Sequence, residues 1–62
     1  MLYKKVVLKA SEFKDEGLPE GVVGYVIDDF GDGNYDVEFS NENGETIDIL
    51  VLNSNQFELV DG

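Results

Sequence analysis

The side chains in this sequence that could do chemistry are carboxylates, and they crowd one segment. Asp28, Asp29, Asp32, Asp36 and Glu38 lie close together with Phe30 among them, and Asp48 follows on a later stretch. Carboxylates gathered in this way can hold a cation, exchange a proton as a general acid and base, or present negative charge to a basic partner. For a cation, Asp32-x-Asn34-x-Asp36 supplies the first, third and fifth positions of a calcium loop. However, Val37 stands where the loop needs Gly, and Asn43 where it needs a bidentate Glu. Acid–base work needs a pocket that separates two carboxyl pKa values, and 62 residues closing on their own core leave little room for one. Nucleophilic catalysis has no base, because the chain contains no His and no Cys to serve Ser11, Ser40 or Ser54. Gly31-Asp32-Gly33 is too short and too acidic to cradle a phosphate, and no helix follows it. Neither a catalytic residue, a cofactor nor a metal is expected. Partner binding is left, with Asp28, Asp29, Phe30, Asp32, Asp36, Glu38 and Asp48 as the candidate contact residues; an ordinary solvated acidic face is the plainer alternative.

The element that must position these groups is a β-hairpin. Gly21-x-x-Gly24 leads into Tyr25-Val26-Ile27, a Gly/Asp/Asn turn follows, and Tyr35-Asp36-Val37-Glu38-Phe39 returns with apolar and acidic residues in strict alternation. Pairing Phe30 directly with Tyr35 would turn Asp28 inward beside Val37, at a cost of about several kcal/mol for an unpaired buried charge. An alignment offset by one is therefore expected, with a bulge at Gly31 or Gly33. It places Tyr25 and Ile27 inward with Val37 and Phe39 and leaves Val26 off parity, as a bent strand serving both halves of a barrel would. The outward line is then Asp28, Asp36 and Glu38, joined by Asp48 from the adjoining strand, with Asp29 and Asp32 near the tip. Phe30 and Tyr35 flank the turn either as a groove wall or as ordinary hairpin packing.

Around the hairpin, Lys5 to Lys9 reads as a first strand and Ala10 to Pro19 as a polar loop with at most one helical turn. Loops of this kind often carry recognition surface. Asn41-Glu42-Asn43-Gly44 is a second turn, with Asn43-Gly44 suited to positive φ. Glu45 to Leu52 is a fourth strand whose continuous apolar end, Leu50-Val51-Leu52, implies cover on both faces. Asn53 to Gln56 forms a short 3-10 turn, and Phe57 to Val60 a terminal strand. Tyr3 and Phe13 fall outside this barrel. The expected fold is all-β, a single small five-stranded half-open barrel over residues 1–62.

Composition narrows the partner. Four lysines stand against 14 Asp and Glu, for a formal net charge of −10 at pH 7. Phosphate backbones and acidic membrane surfaces are repelled by such a chain, so a basic protein is the natural counterpart and direct nucleic-acid binding is not expected. The apolar run near the start is broken by Lys9, so neither an export signal nor a membrane span is expected. With no Cys to form disulfides, the composition fits a cytoplasmic protein. It is expected as a monomer or weak homodimer.

Two likenesses add to this reading. Leu52-Asn53-Ser54-Asn55-Gln56-Phe57-Glu58-Leu59-Val60 resembles the end of SH3-type barrels, without their Pro before Ser54. Gly21-x-x-Gly24-x-Val26 similarly resembles the turn and strand of ribosomal KOW domains. More of the chain resembles a bacterial domain-of-unknown-function family, number 4926, through Val6-Val7, Leu18-x-x-Gly21-x-x-Gly24-x-Val26-Ile27, Tyr35-x-Val37-Glu38-Phe39 and Gly44-x-Thr46. The long Ser11–Glu16 loop departs from that pattern. The resemblance implies an SH3-like fold without established biochemistry, and an antitoxin or immunity role against a toxin-like partner. Two functional expectations stand. One is a non-enzymatic acidic binding module that neutralises a basic, nuclease-like or nucleic-acid-binding protein. The other is a structural accessory subunit docking on a larger complex through an edge strand and through apolar residues such as Leu50, Val51 and Leu52.

Overall fold

A computed structural model describes residues 2–60. Five strands form one antiparallel sheet: β1 (Lys5–Leu8), β2 (Val23–Asp29), β3 (Asn34–Ser40), β4 (Thr46–Asn53) and β5 (Phe57–Leu59). Their order is β4-β3-β2-β1-β5, so β2 to β4 run as a meander while β5 returns to pair with β1. This is the expected all-β, SH3-like half-open barrel. It is not closed, and β4 and β5 remain its two edges.

One apolar cluster holds the curled sheet together. Val6 and Leu8 of β1, Val26 of β2, Val37 and Phe39 of β3, Leu52 of β4 and Phe57 of β5 are buried against one another with Leu18. Every strand contributes, most of them through alternate positions and β5 through Phe57 alone, the pattern of a sheet with one dry face. Tyr35 on β3 meets Phe57 on β5 edge to face, with ring centroids 5.7 Å apart, which fixes the curl across the barrel.

The loop between β1 and β2 is part of this core. A short 3-10 helix at Lys14–Glu16 ends on Gly17, and the Leu18 N–H donates to the Phe13 carbonyl at 3.1 Å. That fold-back sends Leu18 fully inside and packs Phe13 against the cluster, so Phe13 belongs to the barrel rather than outside it. Gln56 Nε2 donates to Glu12 Oε1 at 2.7 Å, tying the loop to the turn before β5. That turn is closed by the Gln56 N–H on the Asn53 carbonyl at 3.0 Å, the expected single 3-10-type turn.

The hairpin register agrees with the sequence argument at the tip and differs along the strand. Asp28 pairs with Asp36 and Asp29 with Tyr35, so Asp28 stays outside as required. The irregularity lies between Val26 and Asp28, not at a glycine. Ile27 is the extra residue, and it switches the parity of β2, so that Val26 can be buried opposite Val37 while Asp28 faces water. Gly31 and Gly33 take positive φ in the turn itself. The inward set is therefore Gly24 and Val26, whereas Tyr25 is outward and 45% exposed. Gly24 has to be glycine because a Cβ there would lie 2.7 Å from Phe39 Cδ1 and 2.8 Å from the Glu38 carbonyl oxygen. The close approach lets the largest core ring lie across β2.

At the β3–β4 turn, the Gly44 N–H closes on the Asn41 carbonyl at 3.0 Å, and Asn41 Oδ1 accepts the Asn43 and Glu45 N–H groups. Gly44 alone takes positive φ there; Asn43 does not. A further register shift between Phe39 and Ser40 follows this turn.

Candidate functional site

The outer face of β2, β3 and β4 carries the candidate residues, and the pairing register fixes their rows. In one row Asp28 (β2) lies opposite Asp36 (β3), which lies opposite Val51 (β4). In the next, Tyr25 lies opposite Glu38, which lies opposite Ile49. Asp28, Asp36 and Glu38 are thus brought onto one surface, as the sequence predicted. Like charges facing each other in a sheet disfavour it by a few tenths to about 1 kcal/mol, and among the described residues no lysine forms an ion pair with these three. Lys9 instead approaches Glu58 at 4.0 Å on another part of the barrel, where both side chains are largely exposed.

The tip carboxylates have local work. Asp28 Oδ1 accepts the Asp29 N–H, Asp29 Oδ1 accepts the Gly31 N–H, and Asp32 Oδ1 accepts both the N–H and the Nδ2 of Asn34. Carboxylates that accept backbone donors two residues ahead are turn-formers, so Asp29 and Asp32 hold the hairpin turn. Phe30 is exposed at that turn, while Tyr35 points to Phe57. The two rings therefore do not line one groove.

Asp48 is misplaced by the sequence reading. It lies opposite Phe39, on the core side of β4, half-buried at the rim, and its Oδ1 accepts the Ile49 N–H at 2.8 Å. The reason is competition between two alternations in one strand. Leu50 and Leu52 share Asp48's parity, and pairing opposite Val37 and Tyr35 turns that set inward, with Leu52 fully buried and Leu50 packed on the core, although the other register carries three aliphatics, Ile47, Ile49 and Val51. Those three are turned outward, with Ile49 46% and Val51 61% exposed. The apolar end of β4 is consequently covered on one face only, contrary to expectation.

The residues that sequence reasoning missed are thus apolar. Ile47, Ile49 and Val51 flank the acidic strand on one side, and Val23 and Tyr25 flank it on the other. Their signal was present in Ile47-x-Ile49-x-Val51, but the run through Leu50 and Leu52 made either parity possible. Tyr25 was hidden by the unforeseen bulge at Ile27. Glu38 is oriented toward the aliphatic side by its Oε2, which accepts the Thr46 hydroxyl at 2.9 Å. Beyond one end of this face, Val23, Ser40, Asn43 and Ile47 border a shallow open groove.

Two donors of the edge strand are occupied by the chain's own side chains. Asp48 takes the Ile49 N–H, and Gln56 Oε1 takes the Asn53 N–H at 2.9 Å. Natural sheets guard their edges in this manner against a further strand. Among the described residues no group of three or more acidic, His or Cys side chains is arranged to hold a metal ion. No helix among them is long and apolar enough to cross a membrane.

A family model described as a domain of unknown function, DUF4926, matches residues 3–59. No curated protein and no solved structure matches the chain.

Proposed function

The chain belongs to the DUF4926 family of domains of unknown function, and from its surface we propose that it is a non-enzymatic protein-binding module whose acidic sheet face engages a basic protein. The observation that carries this reading is the line Asp28, Asp36 and Glu38 on one face without an ion-pairing lysine among the described residues. A cationic partner would relieve the repulsion between paired carboxylates and would be steered by the net charge of −10. A nuclease-like or nucleic-acid-binding protein has such a surface, so an antitoxin or immunity-type role in the cytoplasm follows. The test is affinity capture from the native host at low and moderate salt with the wild type and with an Asp28→Asn, Asp36→Asn, Glu38→Gln variant. A basic protein retained by the first and lost with the second is expected. Identical capture by both would remove the acidic face from the function.

A second reading is favoured by the exposed aliphatic side chains of β4: an accessory subunit attached to a larger complex by apolar contacts. Its residues are Ile47, Ile49 and Val51, in place of Leu50 and Leu52, which face the core. The occupied donors at Ile49 and Asn53 weigh against attachment by strand addition and leave the sheet face as the contact. Association insensitive to salt but abolished by Val51→Thr would favour this reading over the first.

A further inference from the structure

Resting on the acidic-module reading, we infer that the outer face of β2–β3–β4 is a composite docking surface whose occupant is a basic amphipathic helix of a partner protein, carrying a cationic stripe bordered by apolar side chains on both sides. The rows that cross the sheet carry the inference. Glu38 lies between Tyr25 and Ile49, and Asp36 lies between Asp28 and Val51. The carboxylates therefore run along β3 and widen onto β2 at Asp28, with Tyr25 bordering them on the β2 side at Glu38 and with Ile49 and Val51 bordering them along β4. Tyr25, Ile49 and Val51 are 45%, 46% and 61% exposed, so both borders are open to a partner.

Charge selects among possible occupants. A second copy of the chain would bring Asp36 and Glu38 against their own counterparts, and phosphate-bearing nucleic acid or anionic lipid would meet the same carboxylates. A purely cationic segment would satisfy the carboxylates and leave the two apolar borders in water. A purely apolar one would desolvate the carboxylates without pairing them, which is unfavourable. Only a segment with both properties in the matching order satisfies the face.

The dimensions fit a helix. Adjacent strands are about 4.8 Å apart, so the borders on β2 and β4 are about 10 Å apart, and a helix with its side chains is about 10–12 Å across. Carboxylates two residues apart on β3 are spaced about 6.7 Å, close to the rise of about 6 Å between helix residues four apart. Arginine suits the central stripe because it pairs with a carboxylate while its plane stacks on a ring such as Tyr25.

The probe is a synthetic helical peptide with arginines at every third or fourth position in one stripe and leucines on both flanks. A peptide of the same composition in scrambled order is the comparison, and binding is read by calorimetry and by amide shifts of the labelled domain. The expected result is at least tenfold tighter binding of the striped peptide, with shifts on β2–β4. A tenfold or greater loss is expected with Ile49→Thr plus Val51→Thr, and likewise with Asp36→Asn plus Glu38→Gln. The amide spectra of the unbound variants establish that each is folded. Equal binding of the two peptides, or indifference to the aliphatic substitutions, overturns the composite surface. If binding then still falls with the carboxamide variant, the acidic-module reading stands without it; if binding ignores that variant as well, both fail. Shifts confined to other strands, or self-association of the free chain through this face, also overturn the inference.

Discussion

Strands β3 and β4 lie side by side and are sorted by the same alternation, yet their outer faces differ in kind. On β3 the alternation puts Val37 and Phe39 in the core and Asp36 and Glu38, half-buried, on the outer face, the sorting that polarity alone would give. On β4 it buries Leu52, leaves Asp48 half-covered at the rim and exposes Ile47, Ile49 and Val51. Both sets of β4 side chains include aliphatics, so hydrophobicity alone could not sort them. The core had room for one set, and the strand's pairing with β3 assigned the other to the surface. An inner face is thus selected by packing, whereas an outer apolar face needs a separate explanation, which the proposed partner would provide.

Adjacent residues offer the widest test of this contrast. Leu52→Ala should cost about 2–5 kcal/mol through the cavity it leaves, comparable with the roughly 3–5 kcal/mol that a core of this size supplies. Val51→Ala should change stability by no more than about 0.5 kcal/mol, as exposed substitutions usually do. Urea unfolding followed by circular dichroism measures both, and similar losses at the two positions would erase the distinction between faces. Gly24→Ala probes the inner face by crowding instead of by removal. Its new methyl must displace the Phe39 ring or the β3 backbone, and a loss of about 1–3 kcal/mol is expected in the same assay. An unchanged midpoint would mean that the ring can yield without penalty.

The outer face should respond with the opposite sign. Asp36→Asn removes the charge facing Asp28 and should stabilise the domain by a few tenths to about 1 kcal/mol. The gain should shrink in molar salt, where charges on the surface are screened, and a salt-independent gain would trace the effect to something other than repulsion. Asp48→Val should alter stability least, but it releases the Ile49 N–H at the edge of β4. Concentration-dependent association in sedimentation velocity is expected from it and not from the wild type. If the variant stays monomeric, Asp48 is not what protects the edge.

Much of the fold was legible along the chain, because turns and alternation are local properties. Tyr35 to Phe39, the turn at Gly44 and the break at Asn53 each state their conformation within a few residues, and the need to keep Asp28 out of the core excluded the wrong pairing at the hairpin tip. The bulge at Ile27 left no glycine or proline to mark it. Because a single extra residue inverts parity, missing it reversed Val26 and Tyr25 together. The acidic part of the candidate site was likewise readable at Asp28, Asp36 and Glu38, whereas its apolar borders were not.

By itself, then, the sequence determined an all-β chain of five strands, a concentration of negative charge on the central hairpin and the lack of thiol or imidazole groups. Those follow from residue type and spacing, which act over a few neighbours. The tertiary structure decided which parity of β4 is buried, that Asp48 turns from the acidic line to guard an edge, and that Phe13 and Leu18 close the core from the first loop. These outcomes depend on the volume available inside the curled sheet and on pairing between residues far apart in sequence. Neither quantity exists until the strands have met.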